Sequence, residues 1–274
     1  DTVNVADTTT QEMADKMVGR VVHFNIDKQP QTPGKCVLKV EHLSVKNEQN
    51  VLKVNDFSFD IHAGEIVGIA GVDGNGQTEL VNAITGLGPV ADGKITLCGQ
   101  DITHASVSKR IAAGISHIPE DRQRRGLVLD FTLEENIVLG RCGSEPFSAH
   151  GVLKHDAMRA YADRIIEQYD VRCGEGARSK AGGLSGGNQQ KAIVGREIER
   201  PHELLIAFQP IRGMDVGSIE YIHNRLLDER SRGKAVLLVS LELDEVLQLS
   251  DRILAINQGR LIGEVSQAEA TESI

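Results

Sequence analysis

The 274-residue sequence predicts an α/β fold, a largely parallel sheet flanked by helices, with a small antiparallel β layer at its start and a helical subdomain in its middle. Three observations predict it. From residue 186 onward, apolar runs of strand length alternate with stretches of helical length. Between residues 36 and 61, apolar and polar residues alternate at period two, as in half-buried strands. Within 156–169, Met158, Tyr161, Ile165, Ile166 and Tyr169 share one helical face and read as core. A composition of 40% hydrophobic and 25% charged residues can build such a core, which excludes a disordered or fibrous chain.

Taken in order, residues 1–35 are polar, pass through a short helix-like stretch with Met13, Met17 and Val18, and end in a Pro-containing segment; they read as a connector. A chain opening on Asp1 inside a connector reads as a piece of something longer, a processed or trimmed terminus being the alternative. The segments CVLKVEHLSV and NDFSFDI are expected as antiparallel strands around the turn-like KNEQN. Residues 65–70 form a continuous apolar run, the mark of a strand covered on both faces, and lead through a glycine-rich turn into a helix over 79–84. A strand over 94–98, a helix over 106–113 and a helix-dominated stretch over 129–178 follow. The pattern then returns to helix 186–199, strand 204–208, helix 218–230, strand 235–240, helix 242–249 and strand 252–257. The main domain is expected over 36–268, its helical subdomain over about 129–185, and a tail over 269–274.

A net charge of −9 argues against salt-driven nucleic-acid binding, and no Trp with only nine Phe and Tyr removes stacking platforms. Cys36, Cys98, Cys142 and Cys173 form no CxxC pair, so zinc and redox motifs are not expected and small buried thiols are. His150 and His155 lack ligand-type neighbours at metal spacing, and Arg122, Arg124 and Arg125 beside Glu120 and Asp121 read as a solvated face. The longest apolar runs fall short of the roughly 18 residues a membrane helix needs.

Gly71, Val72, Asp73, Gly74, Asn75, Gly76, Gln77, Thr78 and Glu79 follow a buried strand and open a helix, the context of the phosphate-cradling pattern G-x-x-x-x-G-K-[ST]. Glycines let the backbone wrap an anion, amides and the helix dipole favour phosphate, and Thr78 offers a hydroxyl for Mg²⁺. Gln77 stands where the pattern has lysine, which removes charge-assisted bonds worth about 1.5–3 kcal/mol each. A glycine-rich turn with no ligand is the alternative.

Leu184-Ser-Gly-Gly-Asn-Gln-Gln190 at a helix start resembles the LSGGQ signature of ATP-binding-cassette (ABC) proteins. The resemblance implies a P-loop NTPase fold of ABC type and assigns Ser185, Gly186, Gly187 and Gln189 to the ATP of a facing cassette, with Asp215 crossing the interface. It aligns residues 202–215 with the Walker B strand and D-loop, where Phe208 and Gln209 replace the metal-orienting Asp and the general-base Glu. Loss of such a base costs about 10²–10⁴-fold in rate. Leu241 stands at the switch-histidine position, Glu120 at the Q-loop glutamine, and residues 43–53 offer no aromatic for adenine.

GVDGNGQTEL, HIPEDRQRRGLVLDFTLEENIVLGR, LSGGNQQK, IAFQPIRGMDVGSIEYIH and LLVSLELDEVLQLSDRI together resemble the second cassette of tandem ATPase subunits in simple-sugar and nucleoside importers, most closely the branch paired with Bmp-type lipoproteins. The resemblance implies ATP with Mg²⁺ as cofactors, weakly held at this cassette's own site. It implies as partners a first cassette on the same chain, transmembrane permease subunits and, indirectly, a substrate-binding lipoprotein, with no nucleic acid. It also implies a peripheral position on the cytoplasmic face of the membrane, with Arg122, Arg124 and Arg125 in the region that abuts the permease. The alternatives are an independently active ATPase, or a non-transport regulatory or scaffold cassette.

Overall fold

Two sheets share one core in the computed structural model, which describes residues 28–47 and 49–270 together with Thr8, Thr9, Glu12 and Lys16. The expected helix-like stretch at Met13, Met17 and Val18 lies outside the described residues. Strands β1 (Cys36–Lys46) and β2 (Leu52–His62) pair antiparallel across a turn at 47–51, as their alternation requires. With β4 (Asp92–Leu97) and β5 (Gln100–Asp101) they form an antiparallel sheet in the order β2-β1-β4-β5.

The second sheet contains β3 (Ile66–Ala70), β6 (Ile115–Ile118), β9 (Leu204–Phe208), β10 (Ala235–Val239), β11 (Arg252–Asn257) and β12 (Arg260–Ser266), in the order β12-β11-β3-β10-β9-β6. Every pairing is parallel except β11 with β12. Its strands read as unbroken apolar runs because alternate residues feed two cores. Leu204, Ile206 and Phe208 join Val67, Ile69 and the antiparallel sheet, whereas Leu205 and Ala207 join the helices of the opposite face.

The helices are α1 (Gln77–Thr85), α2 (Val107–Ala112), α3 (Leu133–Ile137), α4 (His155–Gln168), α5 (Gly186–Ile198), α6 (Val216–Ser231) and α7 (Leu243–Leu249). None is long and apolar enough to cross a membrane among the described residues. The stretch expected to be dominated by helix holds α3 and α4 but also a small hairpin, β7 (Ser148–Ala149) with β8 (Val152–Leu153), and 3-10 turns at Gly176–Arg178 and Ala181–Gly183. Met158, Ile165 and Tyr169 are buried as expected, with Tyr161 and Ile166 packed at the edge. Gly195 lets α5 approach α4, since a Cβ there would lie 2.7 Å from an Ile165 methyl.

Two expectations are corrected. Cys36 and Cys98 are exposed and Cys142 and Cys173 half-buried, so none is a buried core thiol; each lies at a strand end or in a loop. The reading of three arginines as a solvated face is corrected for Arg122 alone: Arg124, paired with Asp121 at 4.0 Å, and Arg125, donating to Asn82 Oδ1 at 2.7 Å, are exposed, whereas Arg122 is half-buried and donates to the Arg212 carbonyl at 2.8 Å. Residues 28–31, read as connector, are held against the body. Arg230 bonds Asp251 in bidentate fashion and donates to the Gln29 carbonyl, and Lys28 pairs with Asp251 at 3.0 Å.

Candidate functional site

The glycine loop lies at the C-terminal end of β3, flanked by β10 and β11, and delivers the chain into α1. Gly76 caps α1 at φ 104°, and a Cβ there would meet the Lys53 carbonyl at 2.5 Å, so only glycine fits. Asn75 braces the loop: its Nδ2 donates to the Val72 carbonyl at 2.9 Å and its Oδ1 accepts from the Gln258 amide at 2.7 Å. The cradle geometry is therefore built by the β11–β12 turn as well as by the loop.

What the loop lacks is a cation. Gln77 is 5% exposed, and its Nε2 donates back to the carbonyls of Gly71 and Val72 at 3.2 and 3.0 Å. Its Oε1 is buried without a hydrogen-bond partner. The loop side chains that carry charge, Asp73 and Glu79, are both acidic. Thr78 Oγ1 lies 3.4 Å from Glu120 Oε2, whose other oxygen pairs with Arg212 at 3.3 Å. A third carboxylate thus stands at the one loop hydroxyl able to meet a metal.

Phe208 ends β9, 5% exposed and packed into the core beneath the antiparallel sheet, and supplies no oxygen. Mg²⁺ wants near-octahedral oxygen ligands, and here the set reduces to the Thr78 hydroxyl and a Glu120 carboxylate already paired with Arg212. These residues do not reproduce a Mg²⁺ site of the usual kind. Gln209 is 5% exposed with φ 51°, its backbone amide tied to the Val239 carbonyl at 2.8 Å. Leu241 is 42% exposed and shares an apolar groove of about 410 Å³ with Gly71, Val72, Asn75 and Leu243. A hydrocarbon side chain thus stands beside the loop.

The second group lies elsewhere on the surface. Ser185 caps α5, its Oγ accepting from the Asn188 side chain at 2.9 Å, and Asp215 caps α6, accepting from the Ser218 amide at 3.0 Å and hydroxyl at 2.8 Å. Burial alone would raise the Asp215 carboxyl; the Ser218 bonds outweigh it and hold the group below the usual carboxylate range. The two helix starts open on one cavity of about 520 Å³ lined by Ser185, Gly187, Asp215, Lys191, Arg172 and Tyr221. A Cβ at Gly186 would sit 2.7 Å from the Arg122 guanidinium, so a larger residue there would displace the end of that side chain.

Gln189, grouped with this surface by sequence, faces the other way. It is 2% exposed, donates to the Ala181 carbonyl at 3.0 Å and accepts from Gln123 at 3.3 Å. Sequence reasoning missed the bridge between the groups. Arg122 reaches from the turn after β6 to the Arg212 carbonyl and lies against Gly186, while Arg212 pairs with Glu120 beside Thr78. Its position after Glu120 and Asp121 was the only signal.

Known proteins resemble this chain in sequence and in fold. The family model described as "ABC transporter" matches residues 54–211. The nucleoside import ATP-binding protein NupA of Lactococcus lactis subsp. cremoris is 50% identical over 99% of this chain and 54% of its own length. The guanosine import ATP-binding protein NupO of Bacillus subtilis is also 50% identical, over 99% of this chain and 53% of its own. The ribose import ATP-binding protein RbsA of Bacillus licheniformis is 37% identical over 99% and 54%. The chain therefore spans about half the length of these relatives. Among solved structures, a nucleotide-free ATP-binding cassette of an ABC transporter superposes with TM-score 0.71 at 24% identity, over 85% of this chain and 92% of that one. A dimeric bacterial ABC transporter cassette superposes with TM-score 0.72 at 20% identity, over 84% and 98%. These two establish the fold, a P-loop cassette with its antiparallel sheet and helical parts. The sequence relatives and the family match establish more: this chain belongs to the ABC transporter family.

Proposed function

We propose that the chain is the second, degenerate cassette of a tandem ATP-binding subunit in a nucleoside or sugar importer. Its own site holds ATP and Mg²⁺ weakly, and its Ser185–Gly187 surface closes on ATP held by a first cassette upstream on the same chain. The observation that carries the reading is the asymmetry between the two groups. At the loop, Gln77 is bonded back onto its own carbonyls, Phe208 is packed as core and Leu241 is apolar, whereas two helix starts open on a clear cavity at Ser185 and Asp215. Anion chemistry survives where a partner's phosphate would arrive and is depleted where the chain's own would sit.

In this reading residues 1–35 connect the two cassettes and 36–268 form the second. Transmembrane permease subunits are the mechanical partners, a substrate-binding lipoprotein acts indirectly, and the assembly works at the cytoplasmic face. NupA and NupO, at 50% identity, are named for nucleoside and guanosine import, and RbsA, at 37%, for ribose; that gradient favours nucleosides as cargo. Phosphate release tests the proposal. The chain alone is expected to show no steady turnover, and adding the upstream cassette is expected to give turnover that Ser185→Arg abolishes. Steady turnover by the chain alone would overturn it and favour the independently active ATPase.

A further inference from the structure

A cluster at the far end of the antiparallel sheet has no part in either group described above. Cys36 and His62 are cross-strand partners at the start of β1 and the end of β2, and Asp60 lies two residues before His62 on the same face. One ligand-type atom from each, the Cys36 thiol, an Asp60 oxygen and a His62 ring nitrogen, lie within 4.8 Å of one another. A β-bulge brings them together. The register slips between Cys36 and Leu38, so Val37 and Leu38 both point into the core, at 2% and 0% exposure. Unbroken alternation from Leu38 would turn Cys36 inward; the bulge turns it outward onto the face of Asp60 and His62.

We propose that Cys36, Asp60 and His62 bind Zn²⁺, with water completing the coordination. Thiolate, imidazole and carboxylate are the ligand types zinc takes, and three protein ligands with one open position is a recurring arrangement. His62 Nε2 and Asp60 Oδ2 stand 3.8 Å apart, too long for a hydrogen bond and near the ~3.3 Å that separates two ligands of a tetrahedral zinc at ordinary bond lengths. Asp60 Oδ1 is taken by Arg252 at 3.2 Å, leaving Oδ2 toward the histidine. The other histidine nitrogen, Nδ1, faces the buried Glu65 carboxylate at 3.5 Å, and that carboxylate accepts from the His62 amide at 2.8 Å, which leaves Nε2 as the nitrogen toward Asp60. Charge favours a cation: Asp60, Glu65 and Glu264 surround the single guanidinium of Arg252, and Lys39 on the same face is paired with Glu41 at 2.7 Å. A bound zinc would tie the first residue of β1 to the last of β2, where residues 28–35 join the domain.

The test is a Co²⁺ titration of the whole chain carrying Cys98→Ser, Cys142→Ser and Cys173→Ser, so that Cys36 is the one thiol. One equivalent of Co²⁺ is expected to give a near-ultraviolet thiolate-to-metal charge-transfer band that Zn²⁺ displaces. Adding Cys36→Ser should abolish the band, His62→Ala should weaken affinity at least tenfold, and Glu65→Gln, which removes the charge facing Nδ1 and keeps one of the two acceptor oxygens, should weaken it about tenfold. Circular dichroism of the metal-free variants separates loss of the site from loss of the fold. No band, a band that survives Cys36→Ser, or an affinity unchanged by His62→Ala in a folded protein would overturn the proposal.

Discussion

Gln77→Lys probes the cradle directly. A lysine ammonium has three donors and no acceptor, so it can keep both bonds that Gln77 Nε2 makes to Gly71 and Val72 while removing the orphaned Oε1. Relieving a buried unpaired acceptor contributes about 1–3 kcal/mol to stability. The third donor becomes available to a phosphate oxygen, a charge-assisted bond worth about 1.5–3 kcal/mol, or roughly 10- to 150-fold in dissociation constant. The three carboxylates at Asp73, Glu79 and Glu120, which in the parent repel a triphosphate, offset the burial of the new charge. Calorimetric titration of both proteins with ATP at constant ionic strength measures the effect, and a thermal melt measures the stability term. The variant is expected to bind ATP at least about tenfold more tightly and to melt higher. A change smaller than about threefold, or weaker binding, would refute the argument that the missing ammonium is what depletes this site.

Three further outcomes follow from the same structure. Phe208→Asp empties a core position and should cost about 3–5 kcal/mol without ligand, but Mg²⁺ with ATP should then raise the melting temperature more than in the parent; equal ligand shifts would contradict the metal role assigned to this position. His117 is half-buried with its Nε2 shielded from water, and that desolvation first, then the charges of Arg125, Arg196 and Arg200, push its imidazole down to about 4 against the pull of Glu197. A lowered histidine stays neutral in the fold while the unfolded chain takes up a proton, so its contribution is intact above the ordinary value of 6.5 and is lost as pH falls toward 4. Urea unfolding at pH 7 and pH 5 should differ by about 2 kcal/mol from this group, and His117→Leu should flatten that part of the slope. Gly195→Ala should cost about 1–3 kcal/mol, because its Cβ would press on Ile165 and Tyr169 between α4 and α5; a neutral result in chemical denaturation would show that these helices shift apart easily.

Legibility in the sequence tracked burial. Strand β9 is read to the residue because all five of its positions are buried, and the strand, loop and helix over 66–85 are marked by an apolar run meeting glycines. Strand β12 escapes because its burial never passes intermediate: it is an edge, held by pairing with β11 rather than by a hydrophobic face. Strand β6 escapes because four residues carry too little pattern, and hairpin β7–β8 because its strands are two residues each. At the site, the residue types were plain but their directions were not. Gln189 sits in the signature run yet points inward, and Arg122 reads as surface charge yet ties the start of α5 to residue 212. The Cys36, Asp60 and His62 cluster depends on one bulge, which no spacing along the chain announces.

The central claim is that the two sites of a paired assembly differ in kind, with this chain giving Ser185 to its partner's ATP and firing none of its own. The most direct measurement is the burst of phosphate from the two-cassette assembly in rapid-quench single turnover. One phosphate per assembly is expected, unchanged by Gln209→Asn, which suits the positive φ there but withdraws the side chain, and abolished by Ser185→Arg. Two phosphates per assembly, or a burst lost with Gln209→Asn, would contradict the account.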